Sequence, residues 1–301
     1  MKTALSFVVA VIPGFATADC TTESAFLRAA FESRNYTITR MDEVTNNQGS
    51  CQVDDIFLEQ GAVTLRIAHA KWRLEGLEAL SANEGQVSLN ADVTDLVISP
   101  RTDDRWVTYM LTEQNRRNTI DITLSATWAF PDGTLEVAAL DVDLPGDNRV
   151  VYAFRVTGAT QPLLTGDPAA LQAVSLEHMA LEIENRGFAD ALILGPLITS
   201  LSDVPGAPET VVEGTKRDLR ALVSNLPGDV FGTDTKSALI NLISAGPVPW
   251  GEVLVQIVPA PTIALAPFFE AALLPVTPDS ISALFQGGQV KVSFIEDTSQ
   301  N

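Results

Sequence analysis

The chain has 301 residues, of which 46% are hydrophobic, and it carries a formal net charge of −19 at pH 7. This length leaves room for one large domain or two of ordinary size, with enough apolar residues for a sizeable core. The acidic balance excludes nucleic acid and anionic membrane surfaces as general partners, because like charges repel. It is typical of a solubilising, salt-tolerant surface, and a docking surface for a basic partner is the alternative interpretation.

The first 18 residues have the pattern of a secretory signal. Lys2 precedes an apolar run, and the sequence Ala-Thr-Ala at 16–18 places small residues at the first and third positions before a cleavage site. The run is about half as long as the ~20 residues that a membrane-spanning helix needs. We therefore expect cleavage between Ala18 and Asp19, and a mature protein that is periplasmic or secreted and has no transmembrane segment.

Two cysteines, Cys20 and Cys51, follow this segment. A lipoprotein signal has a small residue directly before the modified cysteine, and Asp19 stands there, so lipidation of Cys20 is not favoured. An even number of cysteines in an exported chain predicts a disulfide between Cys20 and Cys51. The sequence has no Cys-x-x-Cys motif, so a stabilising bridge is favoured over a redox-active pair.

The spacing of apolar residues predicts a helix followed by strands in the first part of the chain. Residues 23–34 have helical spacing. From about residue 53 to residue 98 apolar residues alternate with polar ones, as they do in half-buried antiparallel strands. A charged stretch at 101–118 interrupts this alternation and is predicted to be a long connection.

Strands resume at 120–156 and include two turn signals. Asp132-Gly133 predicts a hairpin, and the Pro-Gly-Asp-Asn sequence at 145–148 predicts a second turn. One more alternating strand is predicted at 176–184. We therefore expect the first part of the chain to form an antiparallel meander with one face in solvent.

The spacing becomes helical after Gly187. The remaining predicted elements are helices at 187–203, 208–227 and 233–246, a strand at 253–258, a short helix at 278–285 and a closing strand at 290–295. The predicted fold class is α+β, an antiparallel β-rich meander sheet with a C-terminal helical region and closing strands. Two regions are predicted, 19–165 and 166–301, and one continuous domain is the alternative.

Residue types that support catalysis are scarce. The sequence has two histidines, His69 and His178, and both fall in predicted strands. It has no Gly-x-Ser-x-Gly or Ser-x-x-Lys motif, so no catalytic residue is assigned. It also has no Walker loop and no Gly-x-Gly-x-x-Gly motif, so no nucleotide cofactor is expected.

Three aspartates are the candidate metal ligands. Asp141, Asp143 and Asp147 lie around a glycine and offer the oxygen ligands that calcium prefers. An EF-hand loop has an oxygen ligand at its fifth position and Glu at its twelfth, where this sequence has Pro145 and Tyr152. A solvated hairpin turn is therefore the favoured interpretation, and zinc has no suitable set of ligands.

Two pairs of carboxylates are candidates for acid and base catalysis. Asp103 and Asp104 are adjacent, whereas Glu182 and Glu184 share one face of a predicted strand, as glycosidase carboxylates can. The alternation of Glu182 and Glu184 with apolar residues favours a solvent-facing strand surface instead. The apolar stretches at 188–201 and 262–274 could help a sheet to hold an acyl chain, and closing the core is their alternative role.

Two pieces of the sequence carry a resemblance to a known group of proteins. They are VSLEHMALEIENRGFADALI, and the closing VPWGEVLVQIVPAPTIALAPFFEAAL with SISALFQGGQVKVSF. They resemble exported alphaproteobacterial proteins of the DUF2125 or DUF945 type, over roughly residues 60–295. The resemblance implies a periplasmic, β-rich envelope protein without catalysis. Arg186 and Gly187 match its motif, with Gly187 serving a turn and Arg186 pairing with Glu184 or another acid.

The sequence thus predicts an exported, disulfide-bonded protein without a cofactor that binds a lipid or a partner protein of the cell envelope. The alternative is a periplasmic hydrolase whose site is assembled from dispersed residues around His69 or His178. A third interpretation is a structural domain of a larger assembly.

Overall fold

The computed structural model describes residues 20–100, 105–107, 109, 118–160, 168–187, 206–247, 249–259, 262–266, 283–285 and 287–297. The predicted signal segment with its Ala18–Asp19 cleavage site, the pair Asp103 and Asp104, and nearly all of the helix predicted at 187–203 lie outside the described residues. Most of the short helix predicted at 278–285 does so too.

One antiparallel sheet of twelve strands dominates the described residues. The strands are β1 (Thr37–Arg40), β2 (Thr45–Asn47), β3 (Ser50–Gln60), β4 (Val63–Glu75), β5 (Gly85–Pro100), β6 (Ile120–Phe130), β7 (Thr134–Leu144), β8 (Asn148–Thr157), β9 (Ser175–Asn185), β10 (Gly251–Val258), β11 (Ile263–Ala264) and β12 (Gln289–Glu296). Their order is β1-β3-β4-β5-β6-β7-β8-β9-β10-β12, with β2 beside β3 and β11 beside β9. The predicted meander is confirmed.

Helices lie near both ends of this order. They are α1 (Cys20–Ser33), α2 (Glu78–Ala82), α3 (Pro208–Ser224) and α4 (Thr233–Ala245), with a 3-10 helix at Pro168–Ala173. Helix α2 packs on β5, α4 packs on β12, and α3 packs against α4. The α+β class is confirmed, including the C-terminal helices and closing strands. No described helix is long and apolar enough to cross a membrane.

The register gives the sheet one apolar and one polar face, because directly paired residues of antiparallel strands point to the same side. An apolar row runs across nine strands through Cys51, Trp72, Ala91, Leu124, Leu140, Tyr152, Leu181, Val255 and Val292. The next row is Gln52, Lys71, Asp92, Thr123, Asp141, Val151, Glu182, Leu254 and Ser293. The predicted solvent face is therefore present.

Two hydrophobic cores lie on the apolar face. The first involves β3, β4 and β5 and includes Val53 and Leu58, the largest fully buried side chains among the described residues. The second lies between β9–β12 and helices α3 and α4, and it includes Phe231 and Ile257. Both cores use the same face of one sheet, so the strands between them continue that face from one core to the other.

The predicted disulfide is present between Cys20 and Cys51, whose Cα atoms are 5.4 Å apart. It joins the first residue of α1 to β3. The buried carboxylate of Glu23 in α1 also accepts a hydrogen bond from the backbone N–H of Leu74 at 3.3 Å. The bridge and this hydrogen bond fix the start of α1 against the first core.

The sheet continues through the predicted boundary between residues 165 and 166. Strand β8 before it and strand β9 after it pair from Arg149↔Glu184 to Thr157↔Ser175. Residues of β8 and β9 also contribute to the same second core. The two predicted regions therefore share one hydrogen-bonded sheet.

Candidate functional site

Four central strands carry a band of apolar side chains between the two cores. We call this band the apolar strip. Its members are half-buried and lie on the core side of β6–β9; they are Leu124, Ala126, Leu140, Val142, Val150, Tyr152, Leu181 and Ile183. All are apolar or aromatic, so the strip offers a surface that favours contact with a hydrocarbon.

Alternation in the sequence produces the strip. In β9 the strip residues Leu181 and Ile183 alternate with Glu182 and Glu184, and the register puts the two glutamates on the polar face. Mainly β-branched and aromatic residues in β8 favour a strand in the same way. The strip is thus the apolar half of strands whose other half faces solvent.

The helices described by the structure pack mainly beyond the ends of the strip. Helix α2 contacts β5 on one side, and α4 contacts β12 on the other. The strip residues keep intermediate solvent exposure, whereas Leu58 in the first core is 1% exposed. The strip therefore lies between two more deeply buried regions and retains accessible apolar surface.

Tyr152 is the polar group within the strip. Its ring packs on Phe154 with 5.2 Å between centroids. Its hydroxyl has no hydrogen-bond partner among the residues that the structure describes. Burial raises the pKa of Tyr152 above its ordinary value, so the neutral hydroxyl is favoured. A neutral phenol in an apolar surface can donate a hydrogen bond to an oxygen of a bound molecule.

We expect Tyr152→Phe to remove a phenolate signal that develops only above pH ~10, the ordinary range for tyrosine. A raised pKa in the folded state means that this group's contribution to stability is present below pH ~10 and is lost as the pH rises through the folded-state value. Ultraviolet absorbance during a pH titration measures the phenolate signal. Tyr109→Phe, at a side chain that is 57% exposed, is the control and should keep the high-pH signal.

The candidate metal ligands lie on the polar face beside an arginine. Arg149 of β8 donates from Nε to Asp141 of β7 at 2.9 Å, and a second nitrogen also contacts this carboxylate. The hydrogen bond from Arg149 holds the pKa of Asp141 below its ordinary value. Asp143 lies 3.9 Å from the same guanidinium, whereas Asp147 is in the turn. The positive partner of Asp141 and Asp143 is thus a side chain of the protein.

The two histidines lie far apart on the polar face. His69 of β4 contacts Asp54 at 2.7 Å through Nδ1, and both side chains are more than half exposed. His178 of β9 is exposed and faces Arg155. Five strand spacings of about 4.8 Å separate β4 from β9, so the histidines do not meet.

The Glu-Asn-Arg-Gly motif joins three segments of the sheet. The buried side chain of Asn185 donates to the carbonyl of Pro249 at 2.6 Å, and the backbone N–H of Arg186 donates to Asn148 at 2.5 Å. Arg186 pairs with Glu184 at 2.9 Å and also with Asp297. Gly187 has φ 109°, which favours glycine. The predicted pairing of Arg186 is confirmed, and the motif's contacts are structural.

Comparison with models of known protein families gave no match, and the curated proteins gave none either. The resemblance to the DUF2125 or DUF945 type therefore stays a prediction. The fold and the strip define an α+β protein with an apolar surface at the centre of its sheet.

Proposed function

We propose that this protein is an exported, non-catalytic lipid-binding protein of the cell envelope, and that the apolar strip holds an acyl chain. The observation that carries this proposal is the continuous apolar face of β6–β9 between the two cores. The eight side chains of the strip are half-buried rather than fully packed, although Val137 on the same face of β7 is buried. Apolar surface of this kind gains free energy when a hydrocarbon displaces water from it.

The size of the strip supports an acyl chain. Four neighbouring strands at a spacing of about 4.8 Å give a width of about 15 to 20 Å. An acyl chain in a membrane spans half of the roughly 30 Å hydrocarbon core, or about 15 Å. A chain lying across the strands would therefore contact all four of them.

Tyr152 supports a ligand that carries an oxygen next to its hydrocarbon. Its hydroxyl is within the strip and is neutral at physiological pH, as tyrosine ordinarily is, and burial raises its pKa further. A carboxyl or ester oxygen of a lipid could accept its hydrogen bond. Such a hydrogen bond would contribute about 0.5–1.5 kcal/mol to binding. It would therefore orient the ligand, whereas contact with the apolar strip would supply most of the affinity.

The proposed location rests on the export pattern and the disulfide. Disulfides persist in oxidising compartments such as the periplasm, and the Cys20–Cys51 bridge is present. The pattern of residues 1–18 and the resemblance to exported envelope proteins support the same location. Binding to a partner protein remains the alternative for the same apolar surface.

The test is binding of cis-parinaric acid, a fatty acid whose fluorescence rises in an apolar site. We expect the protein to bind it and Leu181→Asp to weaken binding by at least about tenfold, because a charge beside the acyl chain costs more than ~1.4 kcal/mol. Ala180→Asp is the matched control. It adds the same charge one residue away, on the opposite face of β9, and should bind as the original protein does.

Two further measurements keep this test interpretable. Thermal unfolding checks that Leu181→Asp remains folded, and Tyr152→Phe removes only a hydroxyl, with an expected loss of two- to tenfold in affinity. Equal affinities of Leu181→Asp and Ala180→Asp would contradict the strip as the site. A protein that binds no parinaric acid, and that carries no added mass in native mass spectra after purification from its own host, would favour a partner protein instead.

A further inference from the structure

The outer edge of β12 is capped over its first residues. The backbone N–H of Val290 donates to the carbonyl of Val230 at 2.9 Å. The buried Thr235 of α4 donates its hydroxyl to the carbonyl of Val290 at 3.1 Å and accepts from the N–H of Val292 at 3.2 Å. One side chain thus replaces part of a neighbouring strand.

These hydrogen bonds fix which backbone groups of β12 face outward. In an antiparallel strand, alternate residues direct both backbone groups to the same side. Val290 and Val292 direct theirs away from β10, so Phe294 does the same. By the same alternation, odd-numbered residues direct their backbone groups toward β10. The N–H of Asp297 fits this pattern, because it donates to the carbonyl of Trp250, just before β10, at 3.0 Å. Among the described residues, the N–H and C=O of Phe294 have no hydrogen-bond partner.

A groove of about 540 Å³ lies beside this part of the edge. It is lined by Asn241, Ser244, Ala245, Phe294 and Glu296, so β12 forms one wall and the second half of α4 forms the other. The cap formed by Thr235 therefore ends where the groove begins. A strand added at Phe294 would place every second side chain in it.

The opposite face of the same edge also has an uncovered apolar side chain. Ile295 is 65% exposed although it lies within a strand. A strand paired with β12 would cover Ile295 on one face and fill the groove on the other. Two separate surfaces would thus be buried by the same added strand.

We propose that a short, extended, basic segment of a partner protein adds to β12 as a further strand at Phe294. The segment pairs over about four residues, because the cap occupies the edge up to Val292. Its basic character follows from Glu296 in the groove and the exposed Glu252 paired with Ile295. The formal charge of −19 favours a cationic segment at longer range.

A second copy fits this edge less well. A two-fold pair of β12 strands centred on Phe294 needs the N–H of Val292 in each copy, and Thr235 already accepts that hydrogen bond. A single short peptide avoids this conflict. The cap thus favours a partner that contributes a short isolated strand, the peptide-recognition mode in which main-chain bonds give affinity and side-chain pockets give specificity.

The first experiment selects binders from a phage-displayed library of random octapeptides on the full chain. We expect enrichment of sequences that alternate basic and apolar residues. A synthetic selected peptide should bind at least about tenfold more weakly to Ala245→Phe, which fills the groove. Ser237→Phe, at an exposed position of α4, is the matched control and should bind as the original protein does.

Two measurements separate strand addition from other binding. The same peptide with methylated backbone nitrogens should lose binding at least about tenfold, since it cannot pair with the edge. In the free protein the amide of Phe294 should exchange with solvent faster than that of Ser293, and peptide should protect it. The proposal would be overturned if no octapeptides were enriched, or if the same octapeptides were enriched equally on Ala245→Phe and on the original protein. A Phe294 amide already protected without peptide would do so too, because a second copy or another segment of this chain would then occupy the edge.

Discussion

Replacing Cys20 and Cys51 by serine is expected to lower the free energy of unfolding by about 3 to 4 kcal/mol. The bridge joins residues that are 31 apart in sequence, and in the chain-entropy model the unfolded state without it gains this much freedom. Both cysteines are buried, with Cys51 only 2% exposed. The loss is large against the 5 to 15 kcal/mol that a typical domain has in total.

The measurement is equilibrium unfolding in urea, followed by tryptophan fluorescence. Trp72 is one of four tryptophans in the chain. It lies directly opposite Cys51 across β3 and β4 and is 6% exposed, so part of the fluorescence change comes from the first core. A reducing agent should destabilise the original protein and leave the double serine variant unchanged. A difference below about 1 kcal/mol between the two proteins would show that the bridge adds little to the stability of the fold.

Long strands and helices were predictable from the sequence because each buries one side. The alternation and the turn residues located β3–β10 and β12, and helical spacing located α1, α3 and α4. The short elements were missed for the opposite reason. Strand β2 (Thr45–Asn47) is polar and exposed throughout. Helix α2 (Glu78–Ala82) has only 5 residues, too few to show the helical spacing of apolar residues.

The apolar strip was only partly predictable. Alternation showed that strands such as Leu176 to Glu184 have an apolar side, but it did not show that β6–β9 carry a single strip between two cores. That fact depends on register and strand order, which connect residues far apart in sequence. The apolar stretches 188–201 and 262–274, predicted as possible walls of an acyl-chain site, lie largely outside the described residues, whereas the strip is formed by strands.

The polar face could be predicted in part from its turns. Asp141 and Arg149 flank the turn signal at 145–148, and a hairpin there brings them onto neighbouring strands. The sequence alone left the three aspartates as possible ligands because it did not reveal this partner. The free edge of β12 could not be predicted from the sequence, because the residues of a strand do not show whether both of its edges are hydrogen-bonded to other strands.

The second large effect is expected from Leu58→Ala in the first core. Leu58 is 1% exposed in β3, so the change leaves a cavity and should lower the free energy of unfolding by about 2 to 5 kcal/mol. Ile98→Ala is the matched control. It also shortens an aliphatic side chain in the sheet, but Ile98 is 51% exposed, and its effect should stay below about 1 kcal/mol.

The same variant tests whether the predicted regions 19–165 and 166–301 unfold as one unit. Hydrogen bonds between β8 and β9 cross that boundary, so a cavity at Leu58 should destabilise the second core as well as the first. Hydrogen exchange at Trp72 in β4 reports on the first core, and hydrogen exchange at Val255 in β10 reports on the second. Equal losses of stability would indicate one cooperative sheet. If the protection of Val255 stayed unchanged, the two cores would unfold separately, and the apolar strip between them would then lie on the border of two units that can move apart.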